Sequence, residues 1–360
     1  MSGGLKVLNI NDLLMQALEK DASDLHITEG SPPVVRVHGD LIPLDYPKLT
    51  PNDTKELVYS ILTQEQREQL EKNWEYDLSY SLAGHSRFRV NVYFQRGSIG
   101  VAFRAIPIKI RSLEELGLPQ SLEPLAKKPR GLVLVTGPTG NGKSTTLASM
   151  IDIINESRAV HIVTIEDPIE YLHYHKKSIV NQREIGSDTR SFLNALKYVL
   201  RQDPDVILIG EMRDLETISA ALTAAETGHL VFATLHTQDA PQTIDRIIDV
   251  FPPHQQQQVR VQLAGTLQGI LSQQLLPTRD GTGRVVAYEL LMPTPGVRSM
   301  IRESKTHQVY NAMQTGQKHG MVTMDQCLAD IYRGGWISLE MALMKAVDPS
   351  NLKQLLRKSA

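Results

Sequence analysis

One segment of the chain has the residue types and spacing of a phosphate-binding loop. It consists of Gly137, Pro138, Thr139, Gly140, Asn141, Gly142, Lys143, Ser144 and Thr145, and it contains the pattern G-x-x-x-x-G-K-[S/T]. Glycines let the backbone N–H groups turn toward a phosphate, and a following helix adds its positive end. Lys143 would supply charge to the β- and γ-phosphates of a nucleoside triphosphate, and the Ser144 hydroxyl would bind Mg²⁺. The alternative is a glycine-rich strand-to-helix turn with a surface lysine.

Acidic residues follow two apolar runs downstream of this loop. Val206–Ile209 is succeeded by Gly210 and Glu211, whose carboxylate could orient or deprotonate a water that attacks the γ-phosphate. Glu166 stands at the end of another predicted strand, in the segment from Ile165 to Glu170, and ligands gather at such ends in parallel sheets. Glu166 and Glu211 are therefore candidate catalytic groups and, with Ser144, candidate Mg²⁺ ligands. The alternative for Glu166 is an acidic strand exit that Pro168 fixes.

Two histidines, His229 and His236, flank a predicted strand from Leu230 onward. A strand of about six residues would separate the two histidines by about 20 Å, which argues against a shared metal site. His236 lies beside Thr234 and Thr237, so we interpret it as a sensor of the γ-phosphate; an ordinary hydrogen-bonded histidine is the alternative. His173 and His175 lack a third metal ligand nearby.

The elements that must position these side chains change character along the chain. Residues 1–108 mix helical spacing with strand alternation, which indicates an α+β unit, and residues 109–130 are a proline-rich predicted linker. From Gly131, short apolar runs alternate with helical patterns, which predicts an α/β fold with a parallel sheet over residues 131–290. From about Val259 the pattern is mostly helical, with a hairpin at Arg279–Tyr288, and residues 291–360 form a helical C-terminal subdomain.

Composition excludes several classes of protein. The chain has 360 residues, which favours two domains, and its formal net charge of -2 argues against a surface devoted to nucleic acid. One cysteine, Cys327, excludes a disulfide framework and a cysteine zinc cluster. The segment from Met1 to Asn11 lacks a secretory signal, and no apolar run is long enough to span a membrane. We therefore expect a cytoplasmic protein, able to dock on a membrane complex.

Several segments together resemble the type II/type IV secretion ATPase superfamily. They are the phosphate loop, the box from Ile165 to Glu170, the stretch from Gly210 to Asp214, and the run from Thr227 to Thr237. Near the N-terminus, the segments from Ser23 to Thr28 and from Ser31 to Pro33 are similar to the pilus retraction branch of that superfamily. The single cysteine also favours that branch over extension and secretion ATPases, which usually carry a tetracysteine zinc insertion.

The resemblance implies a RecA-like P-loop ATPase core, a smaller α+β PAS-like N-terminal domain and a helical C-terminal extension. It implies a homohexamer that binds ATP and Mg²⁺ and acts at the cytoplasmic face of the inner membrane on a pilus platform protein. It assigns Glu166 to an acidic box, Glu211 to the catalytic glutamate, and His229 and His236 to a histidine box. Arginines would also reach the nucleotide, and the candidates are Arg87, Arg89, Arg96, Arg104, Arg201 and Arg213.

One motif departs from the retraction branch. Where that branch has Ala-Ile-Arg-Asn-Leu-Ile, this chain has Gly296 to Ile301 and keeps Arg298, which the resemblance implies transmits motion. Val297, Met300 and Ile301 fall at helical spacing, so Arg298 is expected to point toward a neighbour or the membrane partner. We therefore expect a motor that powers pilus retraction, and an accessory paralogue or an extension or secretion ATPase is the alternative. A nucleic-acid translocase would want an aromatic-lined channel, against 5% aromatic residues, and a non-hydrolysing adaptor would not need Glu166 and Glu211.

Overall fold

The computed structural model describes residues 8–37, 39–82, 84–106 and 109–357. Internal contacts divide the chain into two units, Met1–Lys109 and Ile110–Ala360. The boundary expected after residue 108 falls on residues outside the described ranges. Each unit has its own hydrophobic core, so each is considered by itself.

Unit 1 is an antiparallel sheet with helices on its apolar face. The strand order is β3-β2-β1-β6-β5-β4. Its elements are α1 (Ile10–Glu19), β1 (Asp24–Ile27), β2 (Val34–Val37), β3 (Asp40–Pro43), α2 (Pro51–Ile61), α3 (Gln64–Asn73), β4 (Glu75–Leu82), β5 (Ser86–Gln95) and β6 (Ser98–Ile106). The helices α2 and α3 begin where they do because Thr50 and Thr63 each form a capping box and Pro51 opens α2.

Unit 2 contains the phosphate loop and a mixed sheet with the strand order β13-β12-β7-β11-β10-β8-β9. All neighbouring strands pair in parallel except β12 and β13, which are antiparallel. The first part comprises α4 (Leu122–Ala126), β7 (Gly131–Thr136), α5 (Lys143–Ser157), β8 (His161–Glu166), β9 (Ile179–Glu184), α6 (Phe192–Val199), β10 (Val206–Ile209), α7 (Leu215–Glu226) and β11 (Leu230–Leu235). The second comprises α8 (Ala240–Asp249), α9 (Pro253–Thr266), β12 (Leu267–Pro277), β13 (Arg284–Leu291), α10 (Pro295–Arg302), α11 (Val309–Thr315), α12 (Met324–Arg333), α13 (Leu339–Lys345) and α14 (Pro349–Arg357).

The central strands are apolar throughout because helices cover both faces of the sheet. On β7, Leu132 and Leu134 join a core with residues of α7, α8 and α9, whereas Val133 and Val135 join a second core with α4 and α5. All six residues of β7 are buried. This is the two-sided packing that the uninterrupted apolar runs predicted.

Two expectations for unit 2 differ from the structure. Residues 109–130 are not a free linker, because Leu113, Leu118 and Leu122 are buried in the core beside α5. The helical pattern expected after Val259 also missed a strand, since α9 ends at Thr266 and β12 follows as a long strand before the C-terminal helices. Three glutamines interrupt the apolar pattern of β12 and obscured it. The hairpin is confirmed, with Pro277 of β12 opposite Arg284 of β13.

The C-terminal helices pack in two groups. Val297 and Ile301 of α10, with Val309 and Met313 of α11, belong to the main core. Met324, Leu328 and Leu352, from α12 and α14, form a smaller core with Leu276 of β12 and Ala287 of β13. Across the described ranges, every helix is too short or too polar to traverse a bilayer.

Candidate nucleotide site

The phosphate loop joins β7 to α5, as its sequence predicted. Gly142 precedes α5 in a left-handed conformation, and no side chain caps the first turn of that helix. Its N-terminal N–H groups therefore face the loop without a side-chain acceptor, which suits an anion. Gly137 has φ of 138°, and a Cβ there would lie 2.3 Å from the carbonyl oxygen of Gln273. Only glycine fits where the loop passes this close to β12.

Lys143 is buried to 9% exposure and folds back onto the loop. Its Nζ donates to the carbonyl oxygens of Gly137 at 2.8 Å and Pro138 at 3.0 Å. Burial lowers the pKa of Lys143 from its ordinary value, while the negative charges of Glu211 and Glu170 oppose that shift. The ammonium group thus lies in the electrostatic field of acids that follow β8 and β10.

Side chains from β12 brace the loop from the other side. The buried Gln273 donates to the carbonyl oxygen of Asn141 at 2.6 Å and accepts from the Thr146 hydroxyl at 2.8 Å. Asn141 in turn accepts from the Leu275 N–H at 2.7 Å through its own Oδ1. The sequence pattern of the phosphate loop indicates neither Gln273 nor a role for the Asn141 side chain. Their contacts join positions more than 130 residues apart, so no local pattern could have revealed them.

Glu211 stands just beyond β10, where adjacent strand ends come close together. A Cβ on Gly210 would lie 3.2 Å from the Ile165 carbonyl oxygen and 3.3 Å from the Cα of Glu166. The Glu211 carboxylate receives the Arg213 guanidinium at 2.5 and 2.7 Å, and the His236 Nε2 lies 2.9 Å from Oε1. Burial opposes ionisation of Glu211, but Arg213 and His236 outweigh it and lower the pKa of this carboxyl. Glu211 is therefore ionised near neutral pH.

Glu166 ends β8 beside Glu211 and is held by its own strand and its neighbour. Its Oε1 accepts from the Thr164 hydroxyl at 2.6 Å and from the Gln182 side-chain amide at 3.2 Å. Burial raises the pKa of Glu166 to about 7, although these hydrogen bonds favour its ionised form. A carboxyl group poised near neutrality at a strand end can exchange a proton during a reaction.

The two histidines lie at opposite ends of β11. His236 meets Glu211 at the end that carries the phosphate loop. His229 precedes β11 and its Nδ1 lies 2.9 Å from the Ala224 carbonyl oxygen and 3.2 Å from the Thr227 hydroxyl. Within one subunit, His229 is therefore part of the turn after α7 and is not brought to the loop with the other candidates, as its position before the strand dictates.

The arginine candidates divide between the units. In unit 1, Arg87 and Arg89 lie on β5 and Arg96 in the β5–β6 turn. Arg104 of β6 lies opposite Arg89 and forms an ion pair with Asp24 at 2.9 Å. In unit 2, Arg213 binds Glu211 and is the one arginine candidate that the described contacts bring to the loop region.

Arg201 occupies the exposed turn that follows α6.

Arg298 was expected to point toward a neighbour or the membrane partner. It instead contacts its own subunit. Its guanidinium donates to the carbonyl oxygens of Ala264 and, at 3.3 Å, Gly265, in the last turn of α9. These carbonyl groups lack partners within a helix and carry its negative end, so a cation suits them. The expected apolar stripe is confirmed in its buried members Val297 and Ile301, and Arg298 ties the same helix to α9.

The donor set fits a nucleotide better than a metal held by protein alone. Within the described residues, no three histidine, cysteine, aspartate or glutamate side chains converge as metal ligands. Mg²⁺ on the nucleotide would accordingly take Ser144 and phosphate oxygens, with Glu166 and Glu211 close by. Hydroxyl, phosphate and carboxylate oxygens are the ligands that Mg²⁺ prefers, so the residues present fit the ion.

Comparison with known proteins places this site in a family. The model of a family described as type II/IV secretion system protein matches residues 3–346. The type IV pilus retractation ATPase PilT of Pseudomonas aeruginosa is 49% identical over 344 residues, covering 96% of this chain and 100% of that protein. The type IV pilus ATPase PilU of the same organism is 43% identical over 350 residues, covering 97% of this chain and 92% of that protein.

A solved structure is similar over the same length. The crystal structure of the pilus retraction motor PilT with bound ADP has a TM-score of 0.90 and 53% identity, and the match covers 96% of this chain and 99% of that chain. Sequence and fold agree over both units, and the phosphate loop, Glu166, Glu211 and His236 lie within the matched residues. This chain belongs to the type II/IV secretion system protein family.

Proposed function

We infer that this chain is an ATP-hydrolysing motor that powers retraction of type IV pili, and thereby twitching motility. One observation carries the inference. A phosphate loop faces an ionised Glu211 and its partner His236, in a chain that is 49% identical to a pilus retraction ATPase over that protein's whole length.

The chemistry assigns one task to each group. Residues 137–145 cradle the phosphates of ATP, and Lys143 exchanges its two loop carbonyls for phosphate oxygens. Ser144 holds Mg²⁺, which neutralises phosphate charge when it is bound. Glu211 aligns the attacking water and accepts its proton, for which its lowered pKa keeps it ionised. His236 contacts Glu211 and senses the γ-phosphate. Glu166 adds a second carboxyl group at the end of β8.

The arrangement of subunits follows from the same inference. Unit 2 is a RecA-like core with a helical C-terminal extension, and unit 1 is a PAS-like domain. The resemblance to the superfamily implies six subunits. A ring suits this site, because a heterologous interface that closes by rotation lets each site take groups from a neighbour. Arg87, Arg89, Arg96 and Arg104 of unit 1, and Arg201, are then candidates to reach a nucleotide. His229 acts across such an interface.

The ring works at the cytoplasmic face of the inner membrane. It delivers the work of ATP hydrolysis to the pilus platform protein, with no part for nucleic acid. A paralogous retraction ATPase is a further partner.

A second candidate function is that of an accessory retraction ATPase. The observation in its favour is the stretch from Gly296 to Ile301, which keeps Arg298 but differs elsewhere from the motif of retraction motors. PilU, a type IV pilus ATPase from the same organism as PilT, is 43% identical, so one organism can carry two such related ATPases.

The deciding experiment is a deletion strain scored for surface pili and twitching. Loss of the main motor leaves cells hyperpiliated and non-motile, and complementation with the wild-type gene restores twitching whereas Lys143→Ala does not. Bald cells would mean extension and would overturn the inference. Hyperpiliation without loss of twitching would assign the accessory role.

A further inference from the structure

Gln182 uses both ends of its side-chain amide on the loop that follows β8. It lies on the edge strand β9, directly opposite Thr164 of β8. Its Nε2 donates to Glu166 Oε1 at 3.2 Å and to the Tyr171 carbonyl oxygen at 2.8 Å, and its Oε1 accepts from the His173 N–H at 2.8 Å. One side chain therefore binds the first acid of this loop and two backbone groups near its end.

The same loop, residues 166–173, touches the helix that follows the phosphate loop. The Tyr171 hydroxyl lies 2.8 Å from the hydroxyl of Thr145, which is adjacent to Ser144 in α5. A second β9 side chain supports the middle of the loop, since the buried Glu184 accepts from the Ile169 N–H at 3.1 Å. The position of residues 166–173 relative to β9 thus sets where Tyr171 meets α5.

We propose that Gln182 is a positioning residue of the ATPase site, which holds Glu166 and residues 166–173 in register with the phosphate-loop helix. The proposal rests on the inferred ATPase function and on a role for Glu166 in turnover. Among the described residues, the side-chain hydrogen bonds of Gln182 all go to residues 166–173, so its effect on the site passes through them.

The chemistry of the contact explains why an amide stands at this position. Glu166 and the Tyr171 carbonyl each need a donor, whereas the His173 N–H needs an acceptor. Among side chains only asparagine and glutamine offer two donors and an acceptor from one planar group. Asparagine is shorter by one methylene and would not span the same partners. Glutamate would keep the acceptor but would set a second carboxylate against Glu166.

A double-mutant cycle with Glu166 tests the proposal. Gln182→Met keeps length and volume but removes all three hydrogen bonds. It is expected to lower kcat for ATP about tenfold or more with KM changed less than about threefold, because the loss falls on turnover. In a Glu166→Gln background the same change should lower kcat by a smaller factor than in the wild type, since part of the effect of Gln182 passes through Glu166. The matched control is Asn181→Leu, which removes the neighbouring β9 amide whose partner is His161, and should leave kcat near wild type.

Several outcomes would overturn the proposal. Equal fold losses in both backgrounds would show that Gln182 acts independently of Glu166, and a raised KM with unchanged kcat would assign it to nucleotide binding. Wild-type kcat in Glu166→Gln would show that Glu166 has no role in turnover, and the positioning role would be rejected. ATP hydrolysis by the wild-type protein would still support the proposed function. If Gln182→Met lacks the native melting transition, Gln182→Glu replaces it; wild-type kcat in that folded variant would also reject the positioning role.

Discussion

The guanidinium of Arg213 binds both carboxylate oxygens of Glu211, at 2.5 and 2.7 Å, only two residues along the chain. Arg213 is largely exposed and Glu211 is half-buried, so the pair spans the rim of the site. His236 shares Oε1 of the same carboxylate. Among the described contacts, Arg213 and His236 occupy three of the about four acceptor sites of this carboxylate, so Oε2 can still accept a hydrogen bond from a water.

Glu211→Gln separates nucleotide binding from chemistry. Glutamine keeps the size and one acceptor of the side chain but cannot accept a proton, so turnover should fall by at least about 10²-fold while nucleotide still binds. Phosphate release and binding of a fluorescent ATP analogue measure the two effects. Glu216→Gln, at an exposed position in the first turn of α7, is the control. Parallel loss of binding and turnover would instead make Glu211 a structural or metal-binding group.

Lys143→Ala tests the phosphate loop itself. The variant loses the buried ammonium group that contacts Gly137 and Pro138, the fixed cation of the loop. ATP hydrolysis should fall at least about 10²–10³-fold, the usual cost of losing one preorganised group that stabilises developing charge. Lys127→Ala removes an exposed lysine that pairs with Glu123, and should leave turnover unchanged. The two melting temperatures show whether the fold survives; undiminished hydrolysis by a folded Lys143→Ala protein would contradict the site.

Arg298→Ala addresses the junction of α10 and α9. Loss of the hydrogen bonds to Ala264 and Gly265 should lower the free energy of unfolding by about 1–2 kcal/mol, because a charged donor at a helix C-terminus is removed. If Arg298 transmits motion, basal ATPase activity stays near wild type while twitching stops. Arg302→Ala takes an exposed arginine from the same helix and serves as the control. Turnover that falls in proportion to motility would show that Arg298 serves the active site.

The buried Glu289 predicts a pH dependence of stability. It is 0% exposed, its Oε1 accepts the Ala240 N–H at 2.6 Å, and burial raises the pKa of its carboxyl group to about 8. In the unfolded chain its pKa returns to 4.5. The group favours the folded state fully below pH 4.5. As the pH rises from there to about 8, the unfolded state releases the proton while the folded state retains it, and stability is lost.

Glu289→Gln removes this titration. The variant should gain stability relative to wild type between about pH 5 and pH 8, by at most about 1.4 kcal/mol per pH unit. Urea unfolding at several pH values measures the difference. Glu340→Gln, at an exposed site, should show a difference that does not change with pH. A constant offset for Glu289→Gln as well would mean that its carboxyl group does not titrate in this window.

Local sequence patterns indicated most residues of the candidate nucleotide site. The phosphate loop and the acids after β8 and β10 are encoded within short stretches, since the loop needs its glycines and the acids need only an apolar strand before them. The side chains that hold these groups were not predictable. Gln273 meets Asn141 from β12, and Gln182 meets Glu166 from β9, two strands whose polar residues hid them among the predicted helices and loops. The predicted orientation of Arg298 was wrong for the same reason, because its hydrogen-bond acceptors lie in another helix.

β12 connects the phosphate loop with the C-terminal helices. Gln273 and Leu275 of this strand bind Asn141 in the phosphate loop, and the next residue, Leu276, lies in the core shared with α12 and α14. A load on these C-terminal helices that displaces β12 must therefore change the affinity for nucleotide. Linkage is reciprocal, so nucleotide would change the affinity of whatever applies that load by the same factor. The affinity for that partner would then change with each cycle of ATP hydrolysis.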